Sequence, residues 1–203
     1  MHRRILASAA AAALTFGLAA CGDEGENGTV TTPPPSVSVG GSDGGGDSTA
    51  AAPDIPAPDP ADYPGMDQNT PEGAEQAFRY YVAVMIWGYQ TGNYEAYEEL
   101  HTEECEACKN NAVAIRELAG EGRFWSSPTY EEQRTSRYDS DKFDIEVGLI
   151  FILGEHTEPN IDSGGTRIEP ALSYSIVGGM DWIDGRWLVG GMNVGTEPID
   201  DAD

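Results

Sequence analysis

The chain is 203 residues long, with 35 acidic against 11 basic side chains and a formal charge of −24. A surface of that sign repels nucleic acid and anionic headgroups, which excludes binding to either by charge. After residue 20 the longest apolar stretch is 147–153, which has the length of a strand and cannot span a membrane.

Met1-His2-Arg3-Arg4 is a short basic start, and residues 5–20 form an uncharged Ala/Leu-rich run, the form of a secretory signal. Leu18-Ala19-Ala20-Cys21 resembles the lipobox of bacterial lipoproteins. The resemblance implies cleavage between Ala20 and Cys21 and a diacylglyceryl thioether on Cys21, often with a further acyl chain on its amine. Two or more chains anchor stably, because each buried methylene contributes about 0.8 kcal/mol. Cleavage removes Arg3 and Arg4 and no acid, taking the formal charge from −24 to −26. The expected membrane partner is therefore engaged through the lipid alone, on the extracytoplasmic face of the cell membrane.

Residues 21–66 are rich in Gly, Ser, Thr, Ala, Pro and Asp, as in Pro33-Pro34-Pro35 and Pro56-Ala57-Pro58-Asp59-Pro60. So few large apolar groups cannot offset the entropy of ordering, and the composition predicts a disordered tether. One domain is expected over 67–197, followed by an acidic tail at 198–203.

Thr70-Pro71-Glu72 reads as a helix start, with Thr as N-cap and Pro at the first position. Ala74, Phe78, Tyr81, Val82, Met85 and Tyr89 then form an apolar stripe that lasts to Gly92. Asn93 is expected to cap a second helix carrying Tyr94, Tyr97 and Leu100. Thr102 is expected to cap a third, with Cys108, Ala112, Ile115 and Ala119 inward and Gly120 as the stop. After Pro128 the period becomes two. A polar edge strand is expected over 129–138, and a second strand alternates Phe143, Ile145, Val147, Leu149, Phe151 and Leu153. A third alternates Ile168, Pro170, Leu172, Tyr174 and Ile176. Finally, Asp184-Gly185 is a type I′ hairpin signal that sets Trp182 across from Trp187. Three helices on an antiparallel sheet of about four strands make an α+β domain.

That order of elements, ending in an Asp-Gly-Arg-Trp hairpin, is similar to the cone-shaped fold of nuclear transport factor 2, ketosteroid isomerase and scytalone dehydratase. The lipobox, tether, Thr-Pro-Glu-Gly-Ala helix start, Cys-x-x-Cys and hairpin together resemble an uncharacterised actinobacterial lipoprotein family, a domain of unknown function. The resemblance implies fold and address and carries no catalytic residues.

Cys105 and Cys108 lie on the oxidising side of the membrane by this reading, and Glu103, Glu104 and Glu106 disfavour a thiolate. A disulfide is the first expectation. A redox dithiol and a zinc site with His101 and a remote His156 or carboxylate are the alternatives. The acid and phenol candidates Tyr80, Tyr81, Tyr89, Tyr174, Asp144, Glu146 and Asp181 carry no motif. Asp139-Ser140-Asp141 before Asp144 lacks the spacing of a calcium loop. His101 and His156 read as surface residues. A candidate pocket is assigned to Tyr81, Met85, Tyr174, Trp182 and Trp187, and a candidate interface, with a homodimer as one use of it, to Ile150 and Ile152. No catalytic residue, metal or cofactor is assigned. The function expected is non-catalytic binding of an envelope protein or a small apolar ligand. The alternatives are an isomerase- or dehydratase-type enzyme and an accessory subunit of an envelope complex.

The anchor is checked by growing cells with an alkyne fatty acid: the wild-type chain should take up label and Cys21→Ala should take up none, and equal labelling would remove the lipid.

Overall fold

The computed structural model describes residues 51–160 and 163–199. The signal segment 1–20, Cys21, the tether to residue 50 and residues 200–203 of the tail lie outside the described residues. The elements run α1 (Pro71–Thr91), α2 (Tyr94–Glu98), α3 (Glu106–Gly120), β1 (Tyr130–Tyr138), β2 (Ile145–Leu153), β3 (His156–Pro159), β4 (Thr166–Glu169), β5 (Leu172–Ile183) and β6 (Arg186–Pro198). The domain is α+β: three helices and a four-stranded antiparallel sheet in the order β1-β2-β5-β6, with β3 and β4 as a separate two-stranded sheet.

α1 begins as its sequence predicts. Thr70 Oγ1 accepts from the Gly73 amide at 3.0 Å and Pro71 takes the first position, where its missing N–H costs nothing. It ends at Gly92, whose φ of 80° is the left-handed conformation that a side chain resists. Asn93 then caps α2, its Oδ1 accepting from the Ala96 amide at 3.0 Å. The cap of α3 differs from expectation. Cys105 holds that place, its Sγ accepting from the Cys108 amide at 3.3 Å while bonded to the Cys108 sulfur. Thr102 is drawn away by β6: Val189 donates to Leu100 O and Thr102 donates to Val189 O, both at 3.0 Å.

The sheet register puts Val147, Leu149, Phe151 and Leu153 of β2 on one face with Ile176 and Met180 of β5. All are at most 2% exposed. α1 crosses this face, contacting all four strands, and Ala74, Phe78, Tyr81 and Val82 are buried against it. The large ones, such as Phe78 and Val82, each contribute on the order of 1.5–3 kcal/mol by leaving water. Gly178 is the point of closest approach, since a Cβ there would lie 2.2 Å from Phe78 Cε2.

Two strand expectations are corrected. Phe143 precedes β2 and folds back over the opposite face, where its ring occupies the space above Gly179, Gly190 and Gly191. The expected third strand is two strands: Pro170, with no N–H to donate, separates β4 from β5, and β4 pairs with β3 so that Ile168 is 69% exposed. The closing hairpin is as expected. Asp184 and Gly185 have φ of 51° and 85°, and Trp182 stands opposite Trp187 with ring centroids 5.3 Å apart.

Gly178→Ala should therefore force Phe78 aside and lower stability by about 1–3 kcal/mol. Gly120→Ala, where a Cβ meets nothing within 4 Å, should be neutral or slightly stabilising. Urea unfolding of the two variants checks the contrast.

Candidate functional site

α1 is covered on more than its sheet-facing side. Between Gly73 and Gln90 no residue is exposed, so the helix needs a second cover. Residues 51–66, placed in the tether by their composition, supply it. Trp87 Nε1 donates to Ile55 O at 2.9 Å, and Asp59 accepts from the Ala61 amide at 2.9 Å to start a 3-10 turn at Pro60–Asp62. Tyr63 meets Tyr80 edge to face with centroids 5.3 Å apart, and Trp187 Nε1 donates to Gln68 O at 2.8 Å. The Trp87 indole and the Tyr63–Tyr80 ring pair thus tie this strap to the domain, and the Trp187 indole holds the chain just after it.

Between strap and helix lies a cavity of about 340 Å³. Ile55, Pro56, Pro58 and Tyr63 form its outer wall, Arg79, Ala83, Ile86, Trp87 and Gln90 its α1 wall, and Pro128, Tyr130 and Glu132 its β1 side. Arg79 Nη2 and Nε donate to the Glu132 carboxylate at 2.8–3.1 Å, and Nη2 also donates to Thr135 Oγ1 at 2.7 Å. Nη1 stands 2.7 Å from Glu75 Oε1 without the alignment of a hydrogen bond, so that contact is a charge pair. The Arg79 bonds hold the Glu132 carboxyl below its ordinary range, and the Glu132 bond holds the Arg79 guanidinium above its own. Burial raises the Tyr63 and Tyr130 phenols. The wall is therefore electrically settled at neutral pH. Gln90 is 7% exposed, and its carboxamide makes no hydrogen bond with the described residues.

The candidate pocket residues of the sequence do not all line one cavity. Tyr81 and Trp187 share a smaller cavity of about 140 Å³ with Met66, Leu100 and Met180. Trp182 packs on Trp187 outside that lining, Tyr174 stacks on Phe151 at 5.3 Å, and Met85 packs against the core from α1. The Tyr81 and Tyr97 hydroxyls share a short hydrogen bond, Tyr89 donates to Asn111 Oδ1 at 3.2 Å, and Asn111 Nδ2 donates to Tyr97 at 3.4 Å. Burial pushes the Tyr81, Tyr89 and Tyr97 phenols up, so they stay protonated.

His156 is corrected from a surface position: it is 4% exposed, against Trp125, with Nδ1 2.9 Å from Gly154 O and Nε2 3.2 Å from Glu158 Oε1. Glu158 also accepts from Arg167 at 2.8 Å. His101 is half-buried, its Nδ1 3.0 Å from Thr102 O. Both cysteine sulfurs are held in the disulfide, so neither presents a thiolate. Ser140, between the two acids of its turn, donates to Glu146 at 2.8 Å and accepts from the amides of Lys142 and Phe143. Asp144 accepts from the Trp182 amide at 2.9 Å, and Asp181 accepts from the Asp144 amide at 3.3 Å. Ile150 and Ile152 are half-buried on the face away from α1, with Arg134 and Ser175 beside the first and Glu131 and Ser173 beside the second.

Sequence reasoning missed the strap, Arg79, Gln90 and Glu132. The signal was present in α1: Ala83, Ile86, Trp87 and Gln90 stand at i, i+3, i+4 and i+7, a second stripe that calls for a partner.

Fold and site together define an α+β domain with a strap-covered cavity. The model of the Family of unknown function (DUF6318) matches residues 46–147, and the chain belongs to that family. No curated protein matches the chain. Among solved structures it is similar to the intermembrane space region of the chloroplast protein ARC6, at 12% identity over 64% of this chain and 99% of that one, TM-score 0.45. It is also similar to Aln2 from a Streptomyces species, at 11% identity over 58% and 86%, TM-score 0.37. A third is the association domain of CaMKII from C. elegans, at 10% over 61% and 96%, TM-score 0.37.

A carboxyl held below its ordinary value contributes stability that is complete above the unfolded value of about 4.3 and is lost as pH falls through the folded value. Glu132→Gln should therefore be less stable than wild type at pH 7, and the difference should shrink below about pH 4. Chemical denaturation at pH 7 and pH 3 checks the sign.

Proposed function

We propose that this chain is a non-catalytic binding module, carried outside the cell on a lipid at Cys21, whose cone-like domain holds a small, mostly apolar ligand beneath its strap. The observation that carries the reading is the cavity of about 340 Å³ between residues 55–63 and α1. That volume lies within the usual range for small-molecule sites, roughly 300–1,000 Å³, and such sites pair apolar walls with a few polar groups. Here the apolar part is Ile55, Ala83, Ile86 and Trp87, and the polar part is Gln90 with the Arg79–Glu132 pair.

The arrangement favours binding over isomerase or dehydratase chemistry. Those reactions need a base facing an open interior with a donor beside the reacting atom. Beneath α1 the Tyr81 phenol is engaged with that of Tyr97, which Asn111 links to Tyr89. Docking of an envelope protein on Ile150 and Ile152 draws less support, because charged and hydroxyl side chains flank both.

Filling the cavity separates these readings. The uncharged fluorophore N-phenyl-1-naphthylamine should bind the wild-type chain saturably. Ala83→Trp, and the smaller Ala83→Phe, should weaken that binding about tenfold or more while the circular dichroism spectrum stays unchanged. Equal binding by all three would place the ligand elsewhere.

A further inference from the structure

The ligand's chemical class can be read from the same wall, and this inference rests on the binding function just proposed. We propose that the strap cavity takes an uncharged amphiphile bearing an amide, whose donor and acceptor pair with the Gln90 carboxamide while its apolar body lies against Ile86 and Trp87.

Charge narrows the choice first. Arg79 is the one basic residue lining the cavity, and its three nitrogens are committed to Glu132, Thr135 and Glu75. A carboxylate or phosphate entering the cavity finds no uncompensated cation, and the chain's formal charge of −24 opposes its approach. Glu132 is the one acid there, and it is spent in turn on Arg79 and on the Thr135 hydroxyl, which donates to it at 2.7 Å. An ammonium group therefore gains no free carboxylate. A neutral ligand is the one that loses least on entering.

Hydrogen bonding narrows it further. Gln90 is more than nine-tenths buried, lines the cavity, and has no hydrogen-bond partner for its side chain among the described residues. Its carboxamide carries one acceptor oxygen and two N–H donors in a plane. The carboxamide opens on the cavity, where water meets it in the empty site, and a ligand group of matching pattern takes the place of that water. An amide or lactam supplies a carbonyl and an N–H side by side, the complement of Gln90. A carboxylate offers acceptors alone, an ammonium donors alone, and an ether or ester no donor.

The test uses the full chain and three probes of one length: octanamide, octanoate and octylammonium, titrated by calorimetry into wild type and Gln90→Met. Octanamide should bind wild type about tenfold more tightly than either ion, and Gln90→Met should remove about that factor, as the loss of two hydrogen bonds implies. The ligand-free Gln90→Met chain should melt no lower than wild type, because the thioether has no amide to leave unpaired. Equal affinity for the three probes, or octanamide binding unchanged in Gln90→Met, would overturn the amide class and leave the cavity as a binding site. No saturable binding of any probe, with N-phenyl-1-naphthylamine binding unaffected by Ala83→Trp, would overturn both.

Discussion

The burial of α1 on two sides is the constraint on which the rest of the domain depends. Its first stripe, from Ala74 to Tyr89, is satisfied by the sheet, where Phe78 sits over Gly178 and Tyr81 reaches Tyr97. Its second, Ala83 to Gln90, faces away from the strands and would leave an indole and an isoleucine in water. The strap answers that demand with very few residues. It does so incompletely, because a proline-rich segment packs as a rail rather than a sheet, and the gap it leaves is the cavity. Core and candidate site are thus two consequences of one helix.

How much of this was legible depended on how far each signal reached along the chain. Thr70-Pro71, Gly92, Asn93 and Asp184-Gly185 act on their immediate neighbours, through caps and positive φ, and each stands where its residue type predicts. The edge position of β1 followed from its polar alternation. Where a distant partner decides, the reading failed. Thr102 has every attribute of an N-cap, yet β6 claims its amide, and the disulfide gives the role to Cys105. Ile168 alternates correctly with Leu172, yet Pro170 divides them and β3 recruits the first half. The strap was hidden for the same reason: composition counts what a segment can bury by itself, and Ile55 and Tyr63 bury against someone else's surface.

The polar groups follow a pattern that bears on binding. The domain is strongly acidic outside, while the part-buried carboxylates are closed into local contacts: Glu132 with Arg79, and Glu158 with Arg167 and the His156 ring. Removing one member of such a pair costs more than the pair contributes, since the other is left without compensation. Gln90 differs, a largely buried polar side chain whose carboxamide opens on the cavity, while His101 Nε2 and Thr102 Oγ1 are buried without a hydrogen-bond partner among the described residues.

The two outer strands of the sheet are blunted by different means. β1 carries Glu131, Arg134 and Arg137 and a bulge between Glu132 and Arg134, while β6 has its backbone occupied at Val189 by residues 100–102. Unpaired strand edges are the usual template on which copies of a protein add to one another and aggregate. A second strand approaching these positions would meet charged side chains, a broken register or, at Val189, a backbone already in use.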